Sequence, residues 1–209
     1  MREFWNSEIT SASYTKLREL NKAYDFVLIG GWAVYLYTKL QKSRDIDIVV
    51  DYPVLRQLGA EYRLEKNDRL SKYEVKLDSF DVDIYLPGYS RLTLPAKELL
   101  HKYATKVDEF MVPTPEALML LKLGAASERL YSMKGDKDAI DILGLLFYSG
   151  VDLGKLSRIA KEHGILGSVR LISRVLSEFN PENLEFLNLN QASFAKLKKK
   201  YSEVIKRNL

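Results

Sequence analysis

The sequence predicts an α+β protein: a small mixed-sheet domain over residues 1–112, followed by a helical bundle over residues 113–209. Two observations lead there. Short apolar or alternating runs of strand character cluster between residues 26 and 112, with helices between them, and from Pro115 onward only helical periodicity remains. Between these regions "PTP" (113–115) marks a natural boundary.

Residues 8–24 read as a helix, with Leu17, Leu20 and Tyr24 at helical spacing. "FVLI" (26–29) is a short buried strand that runs into Gly30-Gly31, and "WAVYLYTKLQ" (32–41) is a second helix. "DIDIVVD" (45–51) alternates aspartate with apolar residues as a strand does, and Asp51-Tyr52-Pro53 suits a helix start, with Pro53 at the first helical position. "YRLEK" (62–66), "YEVKL" (73–77) and "FDVDIYL" (80–86) predict three further strands, the last two joined by a turn at Asp78-Ser79. A short helix follows Pro95, and "KVDEFMV" (106–112) adds an edge strand. The helical region then divides into 115–131, 136–149, 152–163, 165–178 and 191–207.

Composition narrows the chemistry. The 209 residues are enough for one large or two small cores, and an apolar fraction of 46% with 29% charged residues is ordinary for a globular protein. No apolar run approaches the roughly 18 residues that span a bilayer, and "MREFWNSE" lacks the basic-then-apolar pattern of a secretory signal. A cytoplasmic protein is expected, with no membrane partner. With no cysteine, and with His101 and His163 in no ligand-like spacing, zinc is disfavoured. Any metal should be held by carboxylate oxygens, which suits Mg²⁺ or Mn²⁺. The formal charge of +4 permits a nucleotide or RNA partner. The basic run "KLKKKYSEVIKR" (196–207) reads either as a solvated helix face or as a phosphate-backbone contact.

Aspartate is a poor strand former, yet two strands carry it in pairs. Residues i and i+2 of a strand face the same way, roughly 6–7 Å apart. Asp45 and Asp47 therefore converge on one face while Ile46, Ile48 and Val50 face the core. In the later strand Asp81 and Asp83 do the same, with Phe80, Val82 and Ile84 inward. Side by side, these strands would gather four carboxylates into one patch, which a divalent cation would neutralise. Two such ions about 3.5–4 Å apart suit phosphoryl-type transfer. "LIGGW" supplies a complementary feature: a strand ending in two glycines before a helix either forms a tight turn or aims backbone N–H groups at an anion. Neither the P-loop nor the dinucleotide spacing of glycines is present.

Gly30-Gly31, a helix, Asp45-Ile46-Asp47 and the later Val82-Asp83-Ile84 together resemble the nucleotidyltransferase superfamily that includes DNA polymerase β. Phe80-Asp81-Val82 also fits the last element, so the third carboxylate is Asp83 or Asp81. Further along, Lys122, Arg129, Lys137, Asp138 and Asp141 resemble the helical region of AbiEii/AbiGii-type toxin nucleotidyltransferases, and the similarity covers about residues 26–148. The chain departs from those toxins at Trp32, where they often carry a hydroxyl; the indole packs either under a nucleotide or in the core.

The resemblance implies a metal-dependent enzyme that moves a nucleoside monophosphate from an NTP to an acceptor hydroxyl on RNA or tRNA, a protein or a small molecule. Asp45, Asp47 and Asp83 would be catalytic and, with Asp81 as the alternative, would hold Mg²⁺ or Mn²⁺. Gly30 and Gly31 would cradle phosphates, Arg44 and Lys122 would neutralise them, and Asp138 would support the site or merely pair helices. A toxin role would bring an antitoxin protein as partner. The rival expectations are a catalytically inactive nucleotide- or RNA-binding module of the same fold, and a purely solvated acidic patch.

Overall fold

The computed structural model describes residues 4–129 and 133–208. The chain runs α1 (Ser7–Ala23), β1 (Val27–Ile29), α2 (Gly30–Thr38), β2 (Ile46–Val49), α3 (Tyr52–Glu61), β3 (Glu65–Asn67), β4 (Lys72–Lys76) and β5 (Asp81–Tyr85). It continues through α4 (Ala96–His101), β6 (Ala104–Val107), β7 (Phe110–Pro113), α5 (Pro115–Arg129), α6 (Met133–Tyr148), α7 (Leu153–Glu162), α8 (Leu166–Val169) and α9 (Leu171–Glu178). A 3-10 helix over Pro181–Leu187 and α10 (Gln191–Asn208) end it.

Five strands form one mixed sheet in the order β1-β2-β5-β4-β3. β2 and β5 are parallel, and the other neighbours are antiparallel. The period-2 reading of the strands holds: Ile46, Ile48, Val82 and Ile84 are buried on the core side while Asp45, Asp47, Asp81 and Asp83 are half-buried on the other. Asp51 caps α3 as expected, its carboxylate accepting the Val54 N–H at 3.1 Å, with Pro53 in the first turn.

Three segments differ from the sequence expectation. The segment 106–112 is not an edge strand of the main sheet. It is the body of a β6–β7 hairpin that forms its own two-stranded sheet, because Asp108 adopts a left-handed conformation (φ 53°) and reverses the chain. The strand expected at 62–66 begins only at Glu65, because Tyr62 still caps α3 through its N–H to the Leu58 carbonyl. The helix expected over 165–178 is divided at Arg170, with Val169 and Ile172 buried on either side of the break. The 3-10 helix has no periodic signature in the sequence.

Trp32 lies in the core, 1% exposed, with its indole N–H donating to the buried Ser13 hydroxyl at 2.9 Å and its ring against Tyr14 and Tyr35. The basic run lies on α10, where Phe194 and Ile205 are buried and Lys196, Lys199 and Lys200 are exposed. No helix among the described residues is long and apolar enough to cross a membrane.

Candidate active site

Parallel pairing of β2 with β5 puts Asp47 directly beside Asp83, and β4 adds Glu74 as the next residue in that row. One step along, Asp45 accepts the Asp81 backbone N–H at 3.2 Å. The two Asp-x-Asp strands are thus neighbours, and their four carboxylates share one face. Like charges this close resist ionisation. Burial, then Asp83 and Asp45, push the Asp47 carboxyl up to about 7, against the opposing pull of Lys122 and Lys72. Burial likewise raises the Asp83 pKa, with help from Glu74 and Asp45 and against Lys72. Tyr85 donates its hydroxyl to Asp47 Oδ1 at 3.3 Å.

The glycines are explained by what faces them. Gly30 has φ +69°, and a β-carbon there would lie 2.0 Å from Asp47 Oδ2; one on Gly31 would lie 2.6 Å from Ser43 Oγ. Helix α2 starts at Gly30 itself, with no side chain capping its first turn. Its N-terminus therefore abuts the carboxylate row with first-turn N–H groups free of any side-chain cap, an arrangement suited to negative charge.

The expected cations are present but engaged. Arg44 Nε lies 3.1 Å from Asp45 Oδ1, its guanidinium 5.8 Å from the Trp5 ring centroid. Lys122, on α5, is buried with its ammonium 2.7 Å from Asp141 and 3.7 Å from Asp138, both on α6. Burial opposes its charge, but Asp141 and Asp138, with a smaller pull from Asp47, raise its pKa above the ordinary value. Asp141 also binds the buried Lys137. Asp138 thus touches Lys122 rather than the carboxylate row. The Arg129 side chain lies outside the described residues.

Five side chains with a direct hand in the site, Lys72, Glu74, Lys76, Ser43 and Tyr85, were not singled out from the sequence. Lys72 bonds Asp83 Oδ2 at 2.6 Å and Glu74 at 2.8 Å. Lys76 bonds Glu74 at 3.0 Å and Asp81 at 2.8 Å. Ser43 and Tyr85 complete the set. The signal for three of them was legible: in "KYEVK" the charges alternate, so Lys72, Glu74 and Lys76 share a face. Away from this site, the fold brings His163 Nε2 within 3.4 Å of Glu98, with Glu162 adjacent, an approach that sequence spacing did not disclose. Lys102 already binds both of those glutamates.

Carboxylate oxygens are the donors that Mg²⁺ and Mn²⁺ favour, and Asp83 Oδ1 is a buried acceptor without a hydrogen-bond partner. The donor set fits a hard divalent ion.

A mixed sheet that presents strand-borne aspartates beside a glycine-initiated helix, with helices following, is the architecture of the nucleotidyltransferase superfamily. The chain belongs to the family described as "Nucleotidyltransferase of unknown function (DUF6036)", which matches residues 9–208. Among solved structures it is similar to JHP933 from Helicobacter pylori, at 14% identity and a TM-score of 0.52, over 97% of this chain and 96% of that one. A second H. pylori chain, with a provisional nucleotidyltransferase description, gives 16% identity and a TM-score of 0.50 over the same shares, 97% and 96%. At these identities the likeness is one of fold. No protein of curated function matches significantly in sequence.

Proposed function

We propose that the protein is a divalent-metal-dependent nucleotidyltransferase that moves a nucleoside monophosphate from an NTP to an acceptor hydroxyl and releases pyrophosphate. The observation that supports this most is the pairing of Asp47 with Asp83 across parallel strands, at the uncapped N-terminus of α2. A bound Mg²⁺ or Mn²⁺ would neutralise phosphate charge, with Asp45 and Asp47 as its holders. Backbone N–H groups at Gly30 and Gly31 receive the outer phosphates. Asp83 is favoured over Asp81 as the third carboxylate: it lies beside Asp47 and keeps Oδ1 unpartnered, whereas Asp81 pairs with Lys76 at the exposed end of the row. Through Oδ1 it accepts the proton of the attacking hydroxyl. Arg44, released from Asp45, and Lys122 add positive charge near the phosphates.

The acceptor we favour is an RNA such as tRNA, because Lys196, Lys199 and Lys200 offer exposed charge to a phosphate backbone. The resemblance to toxin nucleotidyltransferases adds an antitoxin protein as the partner of this chemistry.

The test is a melting-temperature series with ATP, GTP, CTP and UTP, each with and without Mg²⁺, on wild type and on D45N/D47N. A nucleotide at 100 times its dissociation constant should stabilise the fold by about 2.7 kcal/mol, only with Mg²⁺ and only in the wild type. The preferred nucleotide then enters labelled-transfer assays with tRNA. No shift with any nucleotide, on a folded sample, sinks the reading.

A further inference from the structure

The row of acids on the sheet is not left to itself. Register sets Glu74 directly opposite Asp83, an arrangement of like charges that costs a sheet stability. Lys72 lies diagonally between them, its ammonium 2.6 Å from Asp83 Oδ2 and 2.8 Å from Glu74 Oε1, its side chain only 11% exposed. Glu74 is pinned in turn. Lys76 bonds its other oxygen at 3.0 Å, and the Asn67 amide donates to Oε1 at 3.1 Å. Burial opposes its ionisation, but Lys72, Lys76 and Asn67 hold its carboxyl down at about 2. A glutamate bonded through both of its oxygens therefore holds Lys72 against one oxygen of Asp83.

We propose that Lys72 stands where a second divalent ion would sit, so that the site takes a single divalent ion, at Asp45 and Asp47, together with its nucleotide. The inference rests on the nucleotidyltransferase reading. Its argument is one of charge. Asp45, Asp47 and Asp83 bring three negative charges; Arg44 is released to the phosphates, and Lys72, bonded to Asp83, returns one. One divalent ion beside the phosphates satisfies what remains. A second at Asp83 would meet an ammonium across the width of one carboxylate, in a partly buried setting where such repulsion is weakly screened. Arg44 can move away, being half-exposed, but Lys72 is held from behind by Glu74. If Lys72 served only to offset the Glu74–Asp83 repulsion, its removal would leave the number of ions unchanged.

The experiment is electron paramagnetic resonance of the full chain with saturating Mn²⁺ and a non-hydrolysable analogue of the preferred NTP. Wild type and K72R should give the six-line spectrum of isolated Mn²⁺. K72M should give the exchange-coupled spectrum of two ions a few ångströms apart. Should K72M fail to fold, K72M/E74Q removes the stranded glutamate charge and should give the same coupled spectrum. A coupled pair already in wild type, or uncoupled Mn²⁺ in the lysine-free variants, overturns the inference and leaves the enzyme reading standing. Wild type that binds neither Mn²⁺ nor the analogue overturns both.

Discussion

Gly30 and Asp47 are fitted to one another: the space that a β-carbon on Gly30 would fill holds the Asp47 carboxylate, with Oδ2 2.0 Å from that point. The glycine of the helix start and the aspartate of the neighbouring strand are one construction. The backbone at Gly30, at φ +69°, admits glycine for a second reason.

Replacing Gly30 with alanine should therefore act twice. The left-handed backbone alone costs about 1–2 kcal/mol, and the added methyl displaces Asp47. Urea denaturation should show that loss of stability, and Mg²⁺-dependent nucleotide stabilisation should disappear. Unchanged nucleotide stabilisation in folded G30A would separate the glycine from the site.

Asp47 predicts the pH response of the metal-free protein. Its pKa is raised in the fold from 3.8 to about 7, so between those values the folded state holds a proton that the unfolded state has lost. Its contribution to stability is complete below pH 3.8 and falls as pH rises through about 7. D47N should flatten that fall and, at pH 8, should melt higher than metal-free wild type. A melting curve equally steep in D47N would assign the slope elsewhere.

Lys122 and Asp141 form the buried anchor between α5 and α6. K122M strands Asp141 and Asp138 with one fewer cation, and should cost about 3–5 kcal/mol in chemical denaturation. D141N, which leaves both Lys122 and Lys137 short of a partner, should cost at least as much. A loss under 1 kcal/mol in either would mean that the cluster is open to water.

Ser13→Ala tests the core fate of Trp32. It removes the acceptor of the buried indole N–H, 2.9 Å away, and should cost about 1–3 kcal/mol. Nucleotide stabilisation should be unchanged, because the indole faces the core and not the carboxylate row. Altered nucleotide affinity in S13A would return Trp32 to the site.

Much of the site was legible because its signals are local. Alternation told which face Asp45, Asp47, Asp81 and Asp83 occupy, since a strand inverts its side chains at every residue. The same rule applies to Lys72 and Glu74, but the expected strand began at Tyr73, so Lys72 was left outside it and neither residue was picked out as a partner for an aspartate. The β6–β7 hairpin escaped notice because its turn is made by Asp108 in a left-handed conformation, which aspartate adopts only in some contexts.

By itself, the sequence determined the order of strands and helices as far as β5 and the in-and-out alternation of the aspartates, both consequences of periodicity and backbone sterics within a few residues. It placed the second helix at 32–41, where the structure starts it at Gly30. The tertiary structure alone decided that β2 and β5 are parallel neighbours, that Glu74 faces Asp83 with Lys72 wedged against both, and that Lys122 is paired with Asp141. Strand order and helix packing are settled by burying apolar faces far apart in the chain. Which charges then meet across those surfaces cannot be read from spacing alone.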